Sequence, residues 1–296
     1  MALVPRVVVV SRKTVLQGLL ERHGTRAAVR FFLAARGQEL DRVQAAHDAF
    51  EQALATVLAA LPRPWRRTRV ARDDLERFLF EPEDLVVAIG QDGLVANVAK
   101  YLTGQPVVGI APDPSCQPGV LARHDAAGGV GRLLRLGNTG RGRVEQRTMV
   151  EATLDDGQVL RALNEVFVGH RTHQSARYRI QVDERIERQS SSGVLITTGT
   201  GATGWASSVH RQRRCDVRLP APEEDRLAFF VREAWASPTT GCAITEGPVG
   251  EALRITSEMP ESGVVFGDGI EADALAFGWG QTVTLTTSAH RLSLVA

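Results

Sequence analysis

The sequence predicts a chain in two parts, a Rossmann-like α/β domain over residues 1–125 and a mostly β domain over residues 126–296. Three observations carry this. In the first part, apolar β-branched runs alternate with helical periods, the pattern of a parallel sheet covered by helices. After about residue 125 the helical periods fade and short strand-like runs follow one another. The chain has 296 residues, 43% hydrophobic and 23% charged, enough to bury one or two cores.

Residues 6–10 (RVVVV) form a continuous β-branched run, as expected of a strand buried on both faces. The run breaks at Ser11-Arg12-Lys13-Thr14. Over residues 39–61, Leu40, Val43, Phe50, Leu54, Val57, Leu58 and Leu61 recur at helical spacing, with Ala46 in the gap. Pro62 and Pro64 end that helix. Residues 68–71 read as a short strand and 84–89 (DLVVAI) as a stronger one. A helix over 94–102 and a strand over 106–110 (PVVGI) follow. The Gly/Arg-rich stretch GGVGRLLRLGNTGRGR reads as a linker or mobile loop. Strands are then expected over 146–154, 159–168, 176–182, 194–198, 227–232, 252–256, 264–266, 282–287 and 291–295. The tail is free to return to the first domain or to stay with the second.

Composition excludes several classes. Net charge is +1, so no global field draws nucleic acid or an acidic membrane. No apolar run approaches the ~20 residues of a membrane span. The opening MALVPRVVVVSRK reads as a first strand rather than a signal peptide. Cys116, Cys215 and Cys242 are odd in number and far apart, which suits a reducing cytoplasm rather than a disulfide framework. His170 and His173 lie in a polar stretch without a third ligand, so no metal site is expected. Of 35 basic residues only Lys13 and Lys100 are lysine, and this rarity sets both positions apart.

Several stretches could carry chemistry. Gly90-Gln91-Asp92-Gly93 lies where a buried strand meets a helix, a position that suits bound phosphate. Asp92 there is either a helix N-cap or a carboxylate that binds magnesium or takes a proton from an attacking hydroxyl. Lys13 follows the first strand, either as a phosphate ligand or as a solvated turn residue. Asn164-Glu165 interrupts an apolar run. An amide beside a carboxylate suits ribose hydroxyls, and a half-exposed strand would also explain the pair. In TTGTGATGW (197–205), Gly199, Gly201 and Gly204 spell G-x-G-x-x-G. A dinucleotide fingerprint needs an acidic residue ~20 positions on, at a strand end. Glu223 and Glu224 are at that distance but in a proline-broken loop, so the match reads as accidental. The hydroxyls of Thr198, Thr200 and Thr203, with the Trp205 indole, still offer a binding surface. Gly267-Asp268-Gly269 reads first as a tight turn, and second as a ligand-facing aspartate.

Taken in order, GQDG (90–93), LNEVFVG (163–169), SSGVLITTGTGATGW (191–205) and GDG (267–269) resemble the NAD kinase family. VVVVSRKT (7–14), PVVGIAPDP (106–114) and FFVREAW (229–235) resemble its mitochondrial-type branch and bacterial relatives. The resemblance spans nearly the whole chain. It implies a cytoplasmic homo-oligomer, a dimer, that uses ATP with Mg²⁺ and takes NAD as substrate. It implies that Asp92 is the catalytic aspartate acting on the adenosine 2′-hydroxyl. Lys13, Gly90, Gln91 and Gly93 would serve ATP and phosphate, with no metal ligand among them. Asn164, Glu165, Thr198, Thr200, Gly201, Thr203, Trp205 and Asp268 would serve NAD. Nucleotides are the implied partners, with no nucleic acid and no membrane. The chain departs from the family at Gln91, where a glycine is usual, at Leu94 for threonine, and at Ala111 for asparagine. A non-catalytic NAD(P)-binding protein and a lipid or sphingoid kinase are the alternatives.

Overall fold

The computed structural model describes residues 4–113 and 119–296. Cys116 and the last residue of the 106–114 stretch lie outside the described residues. The chain divides into two compact units, Met1–Glu145 with Ser293–Ala296, and Gln146–Leu292. The first unit therefore runs about twenty residues past the boundary near 125 and takes back the last four residues of the chain.

In the first unit the elements are β1 (Arg6–Ser11), α1 (Val15–His23), α2 (Arg26–Ala34), α3 (Leu40–Ala60), β2 (Arg66–Ala71), β3 (Leu85–Ile89), α4 (Asp92–Ala99), β4 (Pro106–Ile110) and α5 (Ala126–Thr139). A short 3-10 turn, Arg72–Arg77, follows β2. The strands pair in parallel in the order β2-β1-β3-β4, and Ser293 and Leu294 pair in parallel with Pro106 and Val107. Val7, Val9, Val87, Ile89, Val108 and Ile110 face one core with Phe50, Leu54 and Val57 of α3 and with Val130 and Leu133 of α5.

Helix α5 occupies the stretch that reads as a linker. Val130 and Leu133 are buried in the core, with Leu134 and Leu136 partly buried against it, so the apolar residues do follow a helical period. The glycines that hide this period are points of close approach. A Cβ at Gly129 would come 2.7 Å from Ile110, and one at Gly137 would come 2.2 Å from the Trp65 ring. Asp125 caps the helix, its carboxylate accepting from Gly128 N at 2.6 Å.

The second unit holds β5 (Val144–Leu154, its first two residues in the first unit), β6 (Val159–Ala162), β7 (Glu165–His170), β8 (Ala176–Val182), β9 (Arg185–Ser191), β10 (Val194–Thr197), α6 (Trp205–Arg213), β11 (Leu227–Val231), β12 (Glu246–Val249), β13 (Leu253–Ser257), β14 (Gly263–Gly267), β15 (Ile270–Ala276) and β16 (Thr282–Val295, ending in the first unit). Two antiparallel sheets form a sandwich. One runs β16-β13-β8-β9, with β5 beside β16 and β6 beside β5; the other runs β12-β11-β10-β7-β14-β15. Alternate residues from both fill one core, Tyr178, Ile180, Leu253, Ile255, Val283 and Leu285 meeting Val166, Val168, Val194, Ile196, Phe229 and Val265. Helix α6 covers the outer face of the six-stranded sheet through Ala206 and Val209 on Leu195, Ala228 and Phe230.

The single strand expected over 159–168 is broken into β6 and β7, where the intervening backbone bonds to Asp268 instead of a neighbouring strand. The strands expected over 282–287 and 291–295 are one. Among the described residues no helix is long and apolar enough to cross a membrane.

Candidate functional site

In the first unit, Asp92 opens α4 directly beyond the end of β3. Its carboxylate accepts three backbone N–H bonds. Oδ2 takes Val120 N at 2.8 Å, and Oδ1 takes Leu121 N at 3.0 Å and Ala122 N at 2.8 Å. Gln91 is the N-cap residue, at φ −92° and ψ 167°, and makes no side-chain cap bond. That conformation is open to any residue, so glutamine sits at this departure from the family without backbone strain. Its Oε1 accepts from Arg12 Nη2 at 3.2 Å. Leu94 is buried, and a Cβ on Gly90 would reach its Cδ2 at 3.1 Å, whereas Gly93 has open space around it.

Arg12, Lys13, Arg42 and His47 line a cleft of about 1350 Å³ with Gly90, Gln91, Asp92, Gly93 and Ala111. The structure thus brings Lys13 to the same cleft as Asp92. Its ammonium pairs with Glu21 at 3.0 Å, and that partner, by hydrogen bond and charge, holds its pKa above the ordinary lysine range. Both side chains are more than half exposed, so the pair is worth little to stability. Arg12, Arg42 and His47 carry no sequence signal of their own. His47 shares a hydrogen bond with Thr14, Nδ1 to Oγ1 at 3.0 Å, and reaches the cleft from α3.

In the second unit the GDG triplet forms the hairpin turn between β14 and β15. Asp268 and Gly269 stand at φ 54° and 67°, the double left-handed turn that Asp-Gly favours. The Asp268 carboxylate turns onto the chain between β6 and β7. Its Oδ2 accepts from Leu163 N at 2.9 Å, and Oδ1 from Asn164 N at 2.7 Å and Glu165 N at 3.4 Å. These bonds take the backbone of 163–164 out of the strand ladder, which is why β6 and β7 are separate. Asp268 is thereby placed on backbone, with Asn164 and Glu165 presented beside it.

Glu165 is the perturbed group. Burial, and then the nearby Asp268 charge, push its pKa up to about 7. Among the described residues nothing donates a hydrogen bond to its carboxylate, and the Asn164 side-chain amide makes none with them either. Thr198 serves structure. Its hydroxyl donates to Leu163 O and accepts from Thr200 N at 3.1 Å and Gly201 N at 3.3 Å. Thr200 differs. It is 4% exposed, and its hydroxyl has no partner among the described residues. Thr203 Oγ1 donates to Thr200 O at 3.1 Å, on an exposed turn. Trp205 stacks on Phe167, centroids 5.8 Å apart at 18°, and Arg232 lies 5.1 Å from the indole.

Two of the three glycines of TTGTGATGW answer to packing. A Cβ at Gly199 would lie 2.0 Å from Ala221 O, and one at Gly201 2.2 Å from Asn164 O. Gly204 meets nothing nearer than 3.6 Å and precedes α6. The loop passes through a 3-10 turn, Gly201–Thr203, into a helix that lies on an antiparallel sheet. No βαβ unit is opened, so the G-x-G-x-x-G spacing is not a Rossmann fingerprint here.

The chain thus joins an α/β unit with a strand-to-helix aspartate turn to a β-sandwich with a threonine-rich loop. No family model matches the chain. The chain is 43% identical over 112 residues, 26% of each chain, to the mitochondrial NAD kinase 2 of Rattus norvegicus. It is 26% identical over 233 residues to the NAD kinase of Chlorobaculum tepidum, covering 72% of this chain and 71% of the relative. The match spans about a quarter of the length of the mitochondrial relatives. Among solved structures, an NAD kinase from Archaeoglobus fulgidus in complex with ATP aligns over 98% of this chain and 93% of its own at TM-score 0.60 and 17% identity. Yeast NADH kinase complexed with NADH aligns over 100% and 84% at TM-score 0.60 and 14% identity. The chain is related in sequence to the NAD kinases and carries their fold.

Proposed function

We propose that the chain is an NAD kinase, transferring the γ-phosphoryl of ATP to the adenosine 2′-hydroxyl of NAD. The observation that carries the reading is a set of polar groups on Asn164, Glu165 and Thr200 without partners among the described residues, an amide, a carboxylate and a hydroxyl on backbone that Asp268 and Thr198 hold. Such a set suits ribose hydroxyls, each of which both donates and accepts. Trp205 and Thr203 would border the same ligand. Sequence kinship to NAD kinases supports this choice over a lipid acceptor.

In the transfer, the 2′-oxygen bonds to the γ-phosphorus, and the bond from that phosphorus to the β,γ-bridging oxygen breaks. ADP leaves with the electron pair. Asp92 would accept the hydroxyl hydrogen and aim the oxygen lone pair, a positioning role that suits a loose phosphoryl-transfer transition state. Arg12, Lys13 and the Gly90–Gly93 turn would face the phosphates. Among the described residues no group of three or more His, Cys, Asp or Glu could hold a metal ion. Magnesium would arrive on the ATP phosphates and neutralise their charge. The resemblance further implies a cytoplasmic homodimer, whose state sedimentation would read.

The test is direct. Purified chain with ATP, Mg²⁺ and NAD is expected to yield NADP. Asp92→Asn should lower kcat by about 10²–10⁴-fold with NAD affinity little changed. Absence of NADP from the wild type, or an unaffected Asp92→Asn, overturns the reading.

A further inference from the structure

Two glycines of the first unit have no conformational reason to be glycine. Gly109 lies inside the buried strand β4, where glycine weakens a strand. Gly119 lies on the segment beyond it. Neither adopts a left-handed backbone. What they share is the approach of the 119–124 segment. A Cβ at Gly109 would lie 2.2 Å from Leu121 O and 2.9 Å from Ala122 Cα. A Cβ at Gly119 would lie 2.4 Å from Asp92 Oδ1 and 2.7 Å from Ala122 O. Both side chains have been given up so that this backbone can reach the Asp92 carboxylate.

The segment is fastened on its far side. Backbone bonds join His124 N to Gly109 O at 3.2 Å and Ala111 N to His124 O at 2.8 Å. The buried His124 ring lies with Nε2 3.1 Å from Val295 O, and since a carbonyl only accepts, Nε2 carries the hydrogen. Arg123 makes a two-pronged ion pair with Glu145, both contacts at 3.0 Å.

We propose that residues 119–124 form a clamp that fixes Asp92 for phosphoryl transfer, with Gly119 and His124 as positioning residues. The proposal rests on the kinase reading for its purpose. Three of the roughly four lone-pair sites on the carboxylate are taken by N–H groups of the clamp. Among the described residues none takes the remaining site on Oδ2, and that site would receive the acceptor hydroxyl. The carboxylate cannot turn without breaking two or more of those bonds, so the direction of that lone pair is set before substrate arrives. Gly119 is therefore a position at which a single methyl group, aimed at Asp92 Oδ1 and Ala122 O, alters the reacting geometry.

The experiment compares Gly119→Ala, His124→Ala and His124→Gln in the full chain. The glutamine amide can still donate to Val295 O. Gly119→Ala is expected to lower kcat by about 10²-fold, the scale of a misplaced reacting group, with KM for NAD and for ATP near wild type. His124→Ala should fall in the same direction, and His124→Gln should recover. The carboxyl carbon resonance of Asp92, assigned with Asp92→Asn in ¹³C-aspartate-labelled protein, should move in Gly119→Ala and His124→Ala and return in His124→Gln. An unmoved resonance with unchanged kcat in Gly119→Ala overturns the clamp. If Gly119→Ala gives no soluble protein, the His124 pair decides by the same two readouts. A wild type that makes no NADP overturns the kinase reading, and the resonance then decides the clamp alone.

Discussion

Asp268 Oδ1 lies 2.7 Å from Asn164 N, so a hairpin turn holds a strand break 104 residues earlier in the chain. The bond does two things at once. It satisfies backbone N–H groups that β6 and β7 leave unpaired, and it keeps a negative charge near Glu165.

Asp268→Asn should therefore keep its turn, since asparagine tolerates the left-handed conformation, and weaken its grip on 163–165, because one of the two accepting oxygens becomes an NH2 that cannot accept. A cost of about 1–3 kcal/mol is expected from the exposed or mispaired N–H groups, read by urea denaturation. The same variant should lower the Glu165 titration, because the neighbouring charge is gone. A Glu165 titration that stays put would remove Asp268 as one of its causes.

Glu165 predicts a pH dependence with a definite sign. The unfolded chain titrates this carboxyl near 4.5 and the folded protein near 7. Between those values the folded protein keeps a proton that the unfolded chain has lost. Its stabilising contribution is full below 4.5 and is lost as pH rises through 7. Glu165→Gln should match wild type at about pH 4 and exceed it in the alkaline range by up to roughly 3 kcal/mol. Ribose donors favour the ionised carboxylate, so wild-type NAD affinity should climb as pH rises through about 7, and the variant should lose that climb.

Thr200 predicts opposite effects on stability and binding. Its hydroxyl is buried without a partner among the described residues, so Thr200→Val should be neutral or stabilise the free protein by about 1 kcal/mol. If the hydroxyl faces NAD, calorimetry should show affinity falling about tenfold. Weaker NAD binding with unchanged melting would separate a ligand contact from damaged packing. Trp205 offers no such separation, because its indole packs on Phe167.

Gly201 predicts a steric cost. Its missing Cβ would lie 2.2 Å from Asn164 O, so Gly201→Ala should destabilise by about 2–4 kcal/mol. Gly18, inside α1 with nothing within 4 Å, is the control. There alanine should stabilise by about 0.5–1 kcal/mol. Equal melting temperatures for the two variants would mean that the 197–205 loop has room the structure does not show.

Much of the architecture can be read from local pattern. β1, β3 and β4 are buried on both faces and announce themselves as unbroken apolar runs. α3 shows its period over 21 residues. The polar edge strand β9, RIERQSS, gives no such signal, because an edge needs ladder hydrogen bonds more than apolar side chains. Helix α5 hides behind glycines that make room for Ile110 and Trp65.

The residue types at the candidate site, and their order along the chain, were set by the sequence: an aspartate turn, an amide-carboxylate pair, a threonine-rich loop and a final Asp-Gly turn. What each side chain touches was settled only by folding. Asp92 is engaged by the 120–122 backbone, Asp268 by 163–165 and Thr198 by Leu163, while the Thr200 hydroxyl has no partner among the described residues. These bonds join segments about 30 to 100 residues apart. Periodicity reports burial over a few neighbouring turns, and a hydrogen bond to distant backbone leaves no period at all.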